Sequence, residues 1–243
     1  MSHLKKKIGT VFFAGALCFT SFAGTSSAAS NDESTGDLTE EQILELDQEW
    51  EESIENWSND IDYSDEDLQE IAENKGVDIP IQTEQGSQSL MATMAASSFN
   101  PTYGDVLVTQ DSGISSFRWG HAAIVRTDNR YTIEAYSGDG VQSRSISKWK
   151  DPKKVNTVKA LWVNKASGTS YTGAAKYVAA QVGKPYNKIF TDSKTTSKFY
   201  CSQLAWRAWY NQGFDINGGS DSIITPWDLY QSKNTSAYYS RGY

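Results

Sequence analysis

Between residues 31 and 84, twenty aspartates and glutamates stand against a single basic residue, Lys75, and this separation of charge limits where a core can form. After residue 84 the balance reverses to 18 lysines and arginines against 10 acidic residues. The modest net charge of -8 therefore conceals two opposed segments. Charge is costly to bury unless it is paired, so the core is expected in the later segment. That segment, residues 97–243, has the size of a typical single domain and is rich in aromatic residues.

Ahead of the acidic stretch, residues 1–29 read as a secretory signal. Lys5, Lys6 and Lys7 give the positive start, 8–24 the apolar centre, and Ser26, Ser27, Ala28 and Ala29 a small-residue cleavage site. The apolar run is interrupted by Thr10, Thr20 and Ser21 and is shorter than the ~20 residues of a membrane span, so no stable span is expected after cleavage. Removing this leader also removes Cys18 and His3, which leaves Cys201 and His121 as the sole cysteine and histidine. An exported chain with one thiol cannot close an internal disulfide, and a lone thiol there points to reactivity.

Within residues 30–96 the acidic segment carries a helical pattern. Ile43, Leu46, Trp50, Ile54 and Trp57 recur on one face, and Thr39 with Gln42 has the form of a capping box. A second, shorter helix is expected from Ser64 to a stop at Gly76. Two readings stand side by side: a prosegment that covers the basic domain, and a solvated spacer. Residues 86–100, rich in Ser, Ala and Met, form the linker.

In the later domain, β-like runs come first, at 104–109, 120–126, 131–136, 142–146 and 158–163. Helices follow at 171–182, closed by Gly183 and Pro185, and at 202–212, closed by Gly213; a short third starts at Thr225-Pro226. Strands followed by segregated helices indicate an α+β fold, an antiparallel sheet packed against helices and preceded by the acidic helical segment.

Cys201 stands at the start of a helix, where unpaired N–H groups favour the thiolate that attacks. The competing reading is a buried structural cysteine. His121 opens an apolar strand and is the one imidazole able to serve as its base; alone, it reads equally as an incidental histidine. A two-residue turn at Asp128-Asn129 would set Ala123 opposite Glu134 and His121 opposite Tyr136. His121 and Glu134 would then share a face as a diagonal pair with Cβ atoms roughly 7 Å apart. A three-residue turn would send Glu134 to the other face, and a surface glutamate on an edge strand is the alternative.

Other chemistries find less support. A zinc site needs several His or Cys ligands, and one of each remains, so no metal and no cofactor is expected. No phosphate-binding glycine loop of recognised form is present, and the scattered lysines argue against nucleic acid as a partner. Trp206, Trp209, Trp227, Tyr230, Tyr238 and Tyr239 read as packing residues rather than a sugar platform.

Five short motifs, in order, carry a resemblance: Gly104-Asp105-Val106-Leu107, Gly120-His121-Ala122-Ala123-Ile124-Val125, Ile133-Glu134-Ala135, Gly183-Lys184-Pro185-Tyr186 and Tyr200-Cys201-Ser202-Gln203-Leu204. Together they resemble the YiiX/YebB-like branch of the NlpC-type, papain-like cysteine hydrolases, in which circular permutation puts histidine and carboxylate before the cysteine. The resemblance spans about residues 101–235 and implies a permuted papain-like fold. It implies Cys201 as nucleophile, His121 as base, Glu134 as the orienting third member, and Tyr186 with the Cys201 N–H as oxyanion donors. Gln203 departs from the glycine usual after Cys-Ser.

The resemblance further implies a hydrolase that works through a thioacyl intermediate, with classical relatives that cut peptide bonds of peptidoglycan. With the leader and the basic later domain, the expectation is a secreted bacterial enzyme, extracellular or wall-associated, that cleaves an amide bond of the wall. A lipid or ester acyl hydrolase or acyltransferase on the same residues is the second expectation. A non-catalytic wall-binding module is the third.

Overall fold

A computed structural model describes residues 38–56, 73, 99–111, 117–219 and 223–242. The signal, the second acidic helix except for Glu73, and most of the linker lie outside the described residues.

The chain builds one antiparallel sheet in the order β4-β3-β2-β1-β5-β6. Its strands are β1 (Val106–Thr109), β2 (His121–Val125), β3 (Tyr131–Tyr136), β4 (Gly140–Ser145), β5 (Val158–Val163) and β6 (Thr235–Arg241). The helices are α1 (Glu40–Asn56), α2 (Ser147–Lys150), α3 (Gly168–Ala179), α4 (Cys201–Tyr210) and α5 (Pro226–Gln231). Among the described residues, no helix is long and apolar enough to cross a membrane.

Strands β1, β2 and β5 are buried at every position, which explains why they read as apolar runs rather than alternating ones. On one face Val106, Val108, Ala122, Ile124, Leu161 and Val163 pack against Tyr171, Ala174 and Val178 of α3 and Leu204, Ala208 and Trp209 of α4. On the other, Leu107, Ala123, Val125 and Ala160 meet Trp149, Trp162 and Tyr238. Of the aromatics read as packing residues, Trp206, Trp209, Tyr230 and Tyr238 are buried.

The hairpin of β2 and β3 pairs Ile124 with Ile133 and Val125 with Thr132. Carried back along the strands, this register sets Ala123 opposite Glu134 and His121 opposite Tyr136. The turn itself differs from the two-residue form. Arg126 N–H donates to Tyr131 and Asn129 N–H to Arg126, leaving a four-residue connection with only Asn129 in the left-handed region. Side chains account for the wider loop. Asp128 accepts from the Arg130 N–H at 3.1 Å and from the Arg126 guanidinium, while Asn129 Oδ1 accepts from the Tyr103 N–H at 2.7 Å. Glu134 stays inward because the wider loop keeps the same register.

The helix ends follow local chemistry. Ser167 accepts from the Ser170 N–H, so α3 begins before the expected Tyr171. Thr225 accepts from the Asp228 N–H while the Asp228 carboxylate accepts from the Thr225 N–H at 2.7 Å, with Pro226 at the first helical position. Strand β6 and helix α2 were absent from the sequence expectation. β6 joins the sheet edge beside β5 through a register shift at Ala160/Leu161.

Helix α1 forms the capping box at its start: Thr39 N–H donates to Gln42 Oε1 at 3.0 Å and Gln42 N–H to Thr39 Oγ1 at 3.2 Å. Leu46 is buried in the same cluster as the α4 face. That burial contributes roughly 1.5–3 kcal/mol, against about 0–1 kcal/mol for the half-exposed pair of Asp47 with Arg118.

Candidate active site

Cys201 is the first residue of α4, with Tyr200 in extended conformation as the N-cap. Its N–H has no acceptor inside its own helix and points outward with the positive end of the helix dipole. The position is set by side chains on either side. Tyr200 OH accepts from the Ile224 N–H at 3.0 Å, and Ser202 Oγ donates to the Ile224 carbonyl at 2.6 Å. Gln203 explains its departure from glycine. Its Oε1 accepts from the Tyr200 N–H and from Asn187 Nδ2, both at 3.1 Å, and its Nε2 donates to the carbonyls of Ser193 at 3.0 Å and Thr195 at 3.1 Å. The residue that follows the Cys-Ser pair therefore ties the start of α4 to the 187–195 loop.

His121 enters β2 directly after Gly120, whose φ is +98° and whose added Cβ would lie 2.3 Å from the Thr109 carbonyl oxygen. Only glycine lets the chain pass so close to β1 at this point. The imidazole is fully buried and donates through Nε2 to Glu134 Oε2 at 2.8 Å. It lies against the rings of Tyr136 and Trp149, with centroids at 5.1 and 5.9 Å.

Glu134 is fully buried and receives four donors. Trp149 Nε1 at 3.0 Å and the Thr132 hydroxyl reach Oε1, while His121 and the Tyr136 hydroxyl reach Oε2. An indole N–H can only donate, and an ionised carboxylate, which only accepts, satisfies all four partners at once. Burial alone would raise its pKa; the His121, Thr132 and Tyr136 contacts outweigh that and hold it at about 2. Lys148 Nζ donates in turn to Tyr136 OH at 3.0 Å, extending the chain of donors to the surface.

Because the carboxylate holds the proton on Nε2, Nδ1 is the nitrogen left to exchange a proton with the thiol. That atom is buried and makes no hydrogen bond of regular geometry in this state. The ring is close enough to Cys201 that each shifts the other's ionisation. For His121, burial disfavours the charge, but contact with Cys201 and Glu134 raises its pKa to about 9. For Cys201, burial pushes the thiol up, while His121, the Ala122 N–H and the Ser202 hydroxyl bring it below its ordinary value. The geometry suits a thiolate–imidazolium pair.

Tyr186 reaches the same place from the segment that bridges to Phe199. Its hydroxyl is buried without a partner, and burial, followed by the neighbouring Cys201 and Tyr200, raises its pKa. It remains a proton donor with no acceptor filled.

The structure thus brings Cys201, His121, Glu134 and Tyr186 together. Sequence reasoning missed Thr132, Tyr136 and Trp149, the donors around Glu134. The first two lie at alternate positions of β3 on the Glu134 face, a signal that the period of the strand would have exposed. Trp149 comes from α2, which has too few residues to leave a periodic pattern. Among the described residues no group of three or more His, Cys, Asp or Glu side chains is placed to hold a metal ion.

No curated protein matches the chain. One solved structure similar to it, that of the metalloprotein yiiX from Escherichia coli O157:H7, is 16% identical, covers 57% of this chain and 97% of its own, and superposes with a TM-score of 0.43. The family described as "permuted papain-like amidase enzyme, YaeF/YiiX, C92 family" matches residues 97–239, more than half of the sequence. The chain therefore belongs to the permuted papain-like amidases and is a cysteine hydrolase by family.

Proposed function

We propose that the chain is a secreted hydrolase of amide bonds in bacterial cell-wall peptidoglycan, with Cys201 as nucleophile, His121 as base and Glu134 as the residue that orients it. The observation that carries the catalytic assignment is the buried line from Glu134 through His121 to Cys201, with Nε2 of the imidazole engaged by the carboxylate. The thiolate attacks the carbonyl carbon, and the oxyanion takes hydrogen bonds from the Cys201 N–H and the Tyr186 hydroxyl. Collapse breaks the C–N bond as imidazolium protonates the departing amine. Water then adds to the thioacyl carbonyl, giving its proton to His121, and the acid leaves as the thiolate returns.

The wall as substrate is supported by the leader at residues 1–29 and by the basic balance of the domain that carries the site. Wall polymers are often anionic, and a basic surface concentrates on them. Incubating purified peptidoglycan with the wild type and with Cys201→Ala, and resolving the released fragments, tests the proposal. New amine termini are expected with the wild type alone; equal products from both proteins would refute it.

A second reading, hydrolysis of a lipid or ester acyl group on the same residues, draws on the apolar surroundings of the thiol, which shares a cluster with Trp119, Ile223 and Ile224. Release of fatty acid from acyl substrates, with peptidoglycan left intact, would favour it. Because the family is one of enzymes, the wall-binding module is set aside.

A further inference from the structure

Helix α1 rests on the two loops that are tied to the reacting side chains. On one side Asp47 pairs with Arg118 Nη2 at 2.9 Å and accepts from Trp119 Nε1 at 3.1 Å, two residues before His121. On the other, Thr225 Oγ1, whose proton goes to Asp228 Oδ2 at 2.9 Å, lies 3.4 Å from a Glu49 carboxylate oxygen, one residue after the Ile224 whose N–H and carbonyl are held by Tyr200 and Ser202 on either side of Cys201. Between these contacts Leu46 is buried in the cluster that contains Trp119, Cys201, Ile223 and Ile224. With α1 in place only 1% of Cys201 is exposed, too little for a substrate carbonyl to reach the sulfur.

Taking Cys201 as the nucleophile proposed above, we infer that α1 occupies the cleft through which substrate reaches the thiol, and that Arg118 and the Trp119 indole, which hold Asp47 here, hold a substrate carboxylate once α1 is displaced. The helix presents an apolar side chain next to a carboxylate. The residues it meets offer the same pairing: the apolar cluster of Trp119, Ile223 and Ile224, together with the Arg118 guanidinium and the Trp119 indole N–H that Asp47 engages. The favoured substrate is thus an acyl compound with an apolar group adjacent to a carboxylate. The half-exposed ion pair makes the seat reversible, because such a pair holds weakly in water.

Iodoacetamide labelling of Cys201, read by mass spectrometry, tests occupancy on the full chain, because alkylation requires access to sulfur and no knowledge of the substrate. The Asp47→Ala variant loosens one edge, and Leu46→Ala with Asp47→Ala removes both anchors; labelling is expected to accelerate in that order, by about tenfold or more in the double variant. Glu45→Ala, on the exposed outer face, is expected to label as the wild type does. Equal labelling of wild type and double variant, both folded by circular dichroism, would overturn the inference. If labelling accelerates while peptidoglycan stays intact, the substrate proposal fails and the cover stands. In the double variant, an apolar acyl anilide with a free carboxylate is expected to show a lower KM than its amide counterpart. Adding Arg118→Gln should abolish that preference, and a preference that survives it would overturn the carboxylate subsite.

Discussion

His121 and Glu134 meet at 2.8 Å along a diagonal of the β2–β3 pairing, and neither side chain has any exposed surface. A buried carboxylate is tolerated here because each of its oxygens receives two donors. Held this way, the carboxylate engages Nε2 and leaves Nδ1 to exchange a proton with the thiol.

Replacing Glu134 with Gln puts an NH2 group where two donors already point. Either the amide carbonyl faces His121, with a donor clash against Thr132 and Trp149, or the amide N–H faces His121 and reverses its tautomer. The expected result is a fall in kcat/KM of about 10²–10⁴ and a stability loss of roughly 1–3 kcal/mol. Steady-state hydrolysis of an acyl anilide and urea unfolding measure the two effects. Full activity in the variant would show that Glu134 does not orient the base.

The ionisations set the pH dependence. The Cys201 thiol loses its proton below its ordinary value, and His121 keeps its proton to about pH 9, so the thiolate–imidazolium pair fills the interval between the two. The profile of kcat/KM should rise with the low thiol, stay level through neutral pH and fall near pH 9. Glu134, lowered from 4.5 to about 2, adds no limb above pH 4. Its depressed value contributes stability that is present above 4.5 and is lost as pH falls toward about 2. In Glu134→Gln the charge that stabilises the imidazolium is gone, and the alkaline limb should move to lower pH. A limb that stays near 9 would assign it to another group.

Tyr186→Phe separates chemistry from structure. The hydroxyl has no partner in the resting state, so its removal should leave thermal stability unchanged or slightly raised. As an oxyanion donor its loss should lower kcat by about 10²–10³ with KM little changed. Unchanged kcat would leave the Cys201 N–H to act with some other donor.

Gln203→Ala should behave in the opposite way. It deprives Tyr200 N–H and Asn187 of an acceptor, and the Ser193 and Thr195 carbonyls of a donor, in a fully buried place. A loss of at least about 2 kcal/mol is expected in chemical denaturation, with slower thiol chemistry because α4 begins at Cys201. Wild-type stability in this variant would mean that water replaces the amide.

Periodicity made much of the sheet legible. β3 and β5 have the expected limits, because their apolar runs end in turn residues such as Asn129 and Asn164. The relation of Glu134 to His121 was readable because a hairpin register depends on loop parity, and Asn129 in the left-handed region preserved that parity with a different turn. β6 escaped because its sequence, Thr-Ser-Ala-Tyr-Tyr-Ser-Arg, is polar at most positions and earns its place by pairing with β5. Gln203 looked like a departure from a pattern, because its partners are backbone groups and the Asn187 side chain ahead of the helix, and no spacing rule signals them. Trp149 is the same kind of case, since an indole that reaches Glu134 from a four-residue helix is determined by tertiary packing alone.

The permuted order changes when the parts meet. The base and the carboxylate are 13 residues apart on one hairpin, so they close a short loop and need little of the chain to find each other. The thiol arrives only after β4, α2, β5 and α3 have been made. A chain delivered from its N-terminus thus completes the base first and acquires its nucleophile late, when α4 docks on β2 and β3. Until that long-range closure the cysteine lacks its imidazole and remains an ordinary thiol, so activation of sulfur reports that α4 has docked on the hairpin.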